Sequence, residues 1–143
     1  MSTSAGSSDS DAPQQSAGRL RILQVSGSAA GGVRTHLADC ARILAADGHD
    51  VIVEAPAAVL DGLDVAPARA EALEIGARPS LGDSCVVARL RRLGRRAHTV
   101  HAHGLRAGAL AALALGRRRR GRTRLVVTLH NLTVGGRLTT LVG

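Results

Sequence analysis

The chain predicts an α/β fold: an open, doubly wound parallel sheet, for which the commonest strand order is 3-2-1-4-5. Three observations carry this reading. Short runs rich in Val, Leu and Ile alternate with stretches of helical period. The strand runs are apolar on both faces, as strands buried inside a parallel sheet must be. The first run passes through a loop of small residues, Gly27-Ser-Ala-Ala-Gly31-Gly32, straight into a helix. In an open α/β sheet that turn is where helix amides meet phosphates.

The elements follow in order. The first strand is predicted over 20–25 and the first helix over 32–46. Val33, Leu37, Cys40, Ala41 and Leu44 fall at i, i+4, i+7, i+8 and i+11, one helix face, and Gly48 ends it. Residues 51–54 form the second strand, and 55–67, rich in Ala, Pro, Asp and Gly, a connecting loop. A weaker third strand, 70–75, is closed by Gly76 and Pro79. Ser80 or Asp83 caps a helix that runs to about 96, with Val86, Leu90 and Leu93 as its apolar stripe. Arg91, Arg92, Arg95 and Arg96 crowd its last turns, where cations suit the helix dipole. The fourth strand is 98–103, broken by Gly104. A helix over 105–115 is apolar nearly all round and is expected to be buried, with Gly116 as its cap. An Arg-rich link, 117–124, leads to a fifth strand over 125–129 that ends in His130-Asn131. The last dozen residues show a Gly-Gly turn and no clear element.

A length of 143 residues suffices for one domain with a modest core. Residues 1–18 are mostly Ser, Gly, Ala, Asp and Gln and read as a disordered tail; 19–143 read as one partial domain. The tail has no basic start and no apolar run, so it is not a signal peptide. The run at 105–115 is too short to span a membrane. Cys40 and Cys85 are expected to be two buried, reduced thiols, which fits a cytoplasmic protein.

The chain has no Phe, Tyr or Trp, so its core is aliphatic and it lacks the platforms on which single-stranded nucleic acid stacks. Its formal charge is +8, and all 19 basic residues are Arg. That charge suits an anionic partner: a phosphorylated ligand, an acidic membrane surface or nucleic acid. The segment 117–124 is the candidate patch for the last two. A short link at the amino-end side of the sheet reads better as a solvated loop.

The first turn is not a P-loop, because Val33-Arg34 stands where Lys and Ser or Thr are needed. It is not G-x-G-x-x-G either. Glu54, ending the second strand, keeps a dinucleotide-binding module open, since an acid there can hold a ribose. With order 3-2-1-4-5, the switch point lies between strands one and four. Gly31 and Gly32 then face His103 across one crevice. His101 and His103 point the same way from one strand. No neighbouring Asp, Glu or Cys completes a ligand set, so no metal site is assigned. His101 reads as a strand histidine paired to a neighbour. A neutral His103 can donate to a sugar hydroxyl or a phosphate. His130 and Asn131 end strand five in the same layer and are candidate cleft residues. His36 and His49 receive no chemistry of their own.

Several segments together resemble glycosyltransferase family 4, whose members have the GT-B fold. They are Arg21-Ile-Leu-Gln-Val, Gly31-Gly32-Val-Arg-Thr-His36, Leu44-Ala-Ala-Asp-Gly48-His49-Asp-Val51, Val100-His-Ala-His103-Gly104 and Val126-Val-Thr-Leu-His130-Asn131. The resemblance covers nearly all of the chain after its tail and points to the Rossmann-like N-terminal, acceptor-side domain. It implies transfer of a sugar (hexosyltransferase-type) from a nucleotide-sugar donor to an acceptor, with retention. It also implies Gly31 and Gly32 near the donor phosphates, His103 beside the donor sugar as the catalytic residue, and neither metal nor other cofactor. The donor-side domain with its Glu-x₇-Glu motif has no counterpart here. The expectation is therefore a truncated, incomplete GT-B N-terminal domain, inactive alone, working in the cytoplasm or at the inner face of the membrane by peripheral contact. The alternatives are the dinucleotide module using Glu54 and a basic scaffold for nucleic acid or anionic lipid.

Overall fold

The computed structural model describes residues 18–116 and 123–130, and the backbone of 140–142. The expected tail up to residue 17, the Arg-rich residues 117–122 and Asn131 lie outside the described residues. Ten elements follow one another: β1 (Arg21–Ser26), α1 (Gly32–Ala46), β2 (Asp50–Ala55), α2 (Ala57–Leu60), β3 (Arg69–Ala72), α3 (Asp83–Gly94), β4 (Thr99–His103), α4 (Leu105–Leu115), β5 (Arg124–Thr128) and β6 (Thr140–Val142). The sheet order is β3-β2-β1-β4-β5-β6. The first five strands are mutually parallel, in the expected order 3-2-1-4-5. This is the doubly wound, Rossmann-like arrangement.

Two cores result, one on each face of the sheet. Ile22, Leu37, Ala38, Ala41, Val51, Val53, Val59 and Val65 pack α1 and α2 on β1 and β2. Leu23, Val25, Ile75, Val86, Leu90, Val100, Leu110 and Leu125 pack α3 and α4 on the other face. Side chains alternate across each strand, so Leu23 and Val25 enter one core and Ile22 the other. Burying a Leu or Ile of this kind contributes about 1.5–3 kcal/mol. With no aromatic available, close approach replaces bulk. At Gly108 of α4 an added Cβ would lie 2.7 Å from Val127 Cγ1, so the helix rests directly on β5.

The structure corrects several expectations. The loop at 55–67 contains the short helix α2. Strand β3 stops at Ala72, although Leu73 and Ile75 beyond it are buried. Helix α3 begins after Gly82 without a side-chain cap; the Asp83 carboxylate instead accepts from the Ser80 amide at 3.2 Å. Helix α4 is not buried all round: Leu105 and Leu113 are 75% and 63% exposed, on the side turned away from Leu110 and Ala114. Cys85 is exposed and Cys40 half-buried, so the thiols are not both core residues. Cys85 precedes Val86 by one position, a turn of about 100° off the apolar stripe. Finally, the chain's end adds β6, antiparallel to β5, with Thr128 opposite Thr140. Three residues are too few to show a period.

Among the described residues, no helix is long and apolar enough to cross a membrane.

Two predictions follow from the packing. Gly108→Ala destabilises the fold by about 1–3 kcal/mol, because β-branched Val127 cannot swing clear; urea unfolding of the variant measures it. A midpoint equal to that of the parent would show that α4 is not seated on β5 as described.

The second concerns Glu54, which is fully buried and held by Arg89 through two bonds of 2.9 Å. Arg89→Met leaves that carboxylate without its cation and costs on the order of 3 kcal/mol. Adding Glu54→Met in the same chain restores most of the loss, which a two-by-two cycle of unfolding curves tests.

Candidate functional site at the carboxyl ends of the strands

Strands β1 and β4 pair in parallel with Ser26 opposite His103. Their carboxyl ends therefore open at one edge, where the chain leaves β1 for α1 and β4 for α4. Gly31 turns the chain into α1 at φ +56°, ψ −126°, a backbone state that glycine alone adopts freely. Gly104 does the same before α4 at φ +92° and donates its amide to the Thr128 carbonyl at 2.8 Å. Between these turns lies an open cleft of about 380 Å³. Gly27 and Ser28, Val33, Gly76, Gly104, Arg106 and His130 are among the residues lining it. Each turn that follows β1, β3, β4 or β5 contributes to its wall.

His103 sits at the inner side of this edge, 2% exposed. Its Nε2 lies 2.6 Å from Oε1 of Gln24, a fully buried residue of β1. A carbonyl oxygen only accepts, so the imidazole carries its proton on Nε2 and donates it to Gln24. The Nδ1 lone pair is left facing Nε2 of His130 at 3.4 Å. The expected donor is thus, at its free nitrogen, an acceptor. Gln24 Nε2 has no partner among the described residues.

His36 completes the group from α1, one turn after Gly32. Its ring centroid is 5.6 Å from that of His103 and 5.2 Å from that of His130, both edge-on. Exposed in a polar stretch of α1, it carried no periodic signal, and its only sequence signal was its place at the end of the Gly31-to-His36 segment of the family resemblance. One donor nitrogen from each of His36, His103 and His130 falls within 4.8 Å of the others. His101 lies behind, its ring 4.1 Å from that of His103 and its Nε2 2.7 Å from Thr128 Oγ1, as expected of a strand histidine with a partner. His49 and His98 lie at the opposite edge, where their Nδ1 atoms accept the amides of Leu20 and Arg21.

Other charged groups near the turns are occupied. Arg34 donates from Nε to the Val59 carbonyl at 2.8 Å and also to Asp61, tying α1 to α2. Arg106 donates to the Gly76 carbonyl at 3.1 Å and to the Asp83 carboxylate at 2.8 Å and 3.0 Å. That guanidinium holds the Asp83 carboxyl below the usual carboxylate range. Arg106 thereby fixes the loop after β3 against the first turn of α4.

With this geometry in view, the chain can be compared with known proteins. A family model described as a glycosyl transferase 4-like domain matches residues 31–142. The chain belongs to this family. No curated protein matches it. Among solved structures, the glycosyl transferase 4-like chain is similar to a glycosyltransferase from Rickettsia africae ESF-5, with a TM-score of 0.56 and 19% identity. The match covers 80% of this chain and 31% of that one. It is a likeness of fold, and the chain spans about a third of the neighbour's length.

Within this glycosyl transferase 4-like domain the expected site residues fare differently. His103 and His130 come together, and Val33, next to Gly32, lines the cleft. Gly32 opens the helix one turn before His36, and Gly31 is its N-cap. Glu54 is not available to a ribose, because its carboxylate is buried against Arg89. Burial raises its pKa, and the Arg89 hydrogen bond opposes that shift.

Burial also governs the histidines. It pushes His103 down to about 3 and His101 down to about 4, each helped by the neighbouring imidazoles, and it lowers His130. Both strand histidines are therefore neutral in the fold at pH 7 but take up protons near pH 6.5 when unfolded. A folded pKa below the unfolded one stabilises the fold above pH 6.5, and the contribution is lost as pH falls from 6.5 toward 4 and 3. In chelator-treated protein, stability is predicted to fall below pH 6.5 by at most about 1.4 kcal/mol per pH unit for each histidine. His103→Gln flattens that slope between pH 6 and 5. An unaltered slope would mean that the imidazole is not held neutral.

Proposed function

We propose that this domain is the acceptor-side half of a retaining glycosyltransferase that moves a sugar from a nucleotide-sugar donor to an acceptor. The observation that carries the reading is the convergence, at the carboxyl edge of the sheet, of the α1 turn with the ends of β4 and β5. Family membership supports the reaction class. In the proposal, the amides of Gly31 and Gly32 approach the donor phosphates, where a helix N-terminus favours an anion. His103 lies beside the transferred sugar, and His130 lines the cleft.

Gln24 gives His103 its part. By accepting the hydrogen bond of Nε2–H it leaves Nδ1 as an acceptor for a sugar hydroxyl. Burial keeps the ring neutral, so no cation competes with the positive charge that develops on the sugar during transfer. This domain contributes position and hydrogen bonding. The nucleotide is held by a second domain across the cleft, and alone the chain transfers no sugar, since holding both reactants together is much of the catalysis. The net charge of +8 suits a peripheral contact with an anionic membrane at the cytoplasmic face.

In a complete glycosyltransferase containing this domain, His103→Ala lowers kcat by at least about 100-fold, and His103→Asn recovers little of it. Thermal unfolding of both variants separates chemistry from folding. Full turnover by a folded His103→Ala enzyme would remove His103 from the site. Calorimetric titration of this chain with NAD should give no saturable heat, because Glu54 is committed to Arg89.

A further inference from the structure

We propose that His36, His103 and His130 form a binding site for one divalent transition-metal ion of the zinc class. Three separate elements, α1, β4 and the residues after β5, deliver one imidazole each to a common point. Their donor nitrogens lie within 4.8 Å of one another. The best-defined pair, His103 Nδ1 and His130 Nε2, is 3.4 Å apart. Two nitrogens each about 2.0–2.1 Å from a tetrahedral ion are separated by about 3.4 Å. Small rotations of the exposed His36 ring would close the third contact.

The surroundings of His103 point the same way. A ligating imidazole commonly gives its other N–H to a carbonyl or carboxylate, which fixes the tautomer and aims the lone pair. Here Gln24 Oε1 accepts that N–H at 2.6 Å, inside the sheet, and turns Nδ1 toward the cluster. Three neutral nitrogen ligands select borderline metals such as zinc, nickel and copper over magnesium or calcium. The Cys40 thiol, 3.5 Å from His36 Nε2, adds a soft neighbour without joining the triad. Three protein ligands beside an open cleft leave a coordination position free, the pattern of an exchangeable ion rather than a closed structural one.

The consequence for activity rests on the function proposed above. An ion on His103 Nδ1 occupies the atom assigned to the sugar. Metal and sugar then exclude each other, and zinc inhibits transfer instead of supporting it.

The test uses the untagged full chain, stripped with a chelator. Zinc is titrated in competition with a chromophoric chelator, and cobalt is followed by its visible bands. One equivalent of zinc and a cobalt spectrum of tetrahedral intensity are expected. His36→Ala and His130→Ala each weaken zinc at least tenfold with unchanged circular dichroism, and Gln24→Leu weakens it about tenfold. His49→Ala and His98→Ala, at the far edge, leave affinity unchanged. Absence of one-equivalent binding overturns the site, as does binding that survives both His36→Ala and His130→Ala or follows His49 or His98. His36 is exposed, so its replacement tests the site without disturbing the core. Because this assay contains no sugar, its failure leaves the transferase reading intact. Conversely, one-equivalent zinc on these histidines without inhibition of a complete enzyme would keep the site and displace His103 from the sugar.

Discussion

Parallel pairing of β1 with β4 sets Ser26 opposite His103 and Gln24 opposite His101. The two strands are far apart in sequence, yet their union defines the edge at which the chain can present ligands. It places the Gln24 amide one step behind His103, where the pleat brings both side chains to the same face. The resulting 2.6 Å hydrogen bond is buried on the α1 side of the sheet. In that environment a bond is strengthened and a lost partner is costly. Tautomer and ring orientation of His103 descend from this contact, and its neutral state from burial.

The two faces of the sheet serve different ends. The face under α3 and α4 is an aliphatic core. The α1 face is aliphatic beneath the helix but turns polar toward β4 and β5, where Gln24, Ser26, His101, His103 and Thr128 are gathered. Polar groups in such a place are tolerable only when partnered. Most of them are: His101 to Thr128, His103 to Gln24, Ser26 to the Gly27 carbonyl. Gln24 Nε2, without a partner among the described residues, belongs to the amide that holds His103. Polarity has been concentrated where strands end and helices begin, the position at which open α/β sheets bind ligands.

The charged residues divide in a similar way. Arg34, Arg89 and Arg106 are spent on carbonyls and carboxylates inside the domain. They fasten α1 to α2, α3 to β2 and the loop after β3 to α4. A count of charges treats them as surface. The folded chain uses their planar guanidinium groups, which satisfy several acceptors at once, as internal fasteners.

Much of the scaffold was legible in residue order. Period and composition suffice for β1, α1, β4 and α4 because glycines bound each and its apolar residues recur at the spacing of a strand or a helix; the order of the parallel strands is the commonest one for such a unit. The glycines at 31 and 32 and the strand-ending His103 were visible for the same reason: they sit where a run stops. The shortest elements were not: four residues of α2 and three of β6 are smaller than any period. The third strand was read as 70–75, but its end at Ala72 is set by pairing with β2. The side-chain arrangement was invisible too. Nothing near Glu54 in the chain announces Arg89, thirty-five positions on, and His36 acquires its role only from rings on β4 and after β5. Local order carries information about which backbone state each segment prefers. Which lone pair faces which proton depends on distances between segments, and those exist only once the sheet has closed around them.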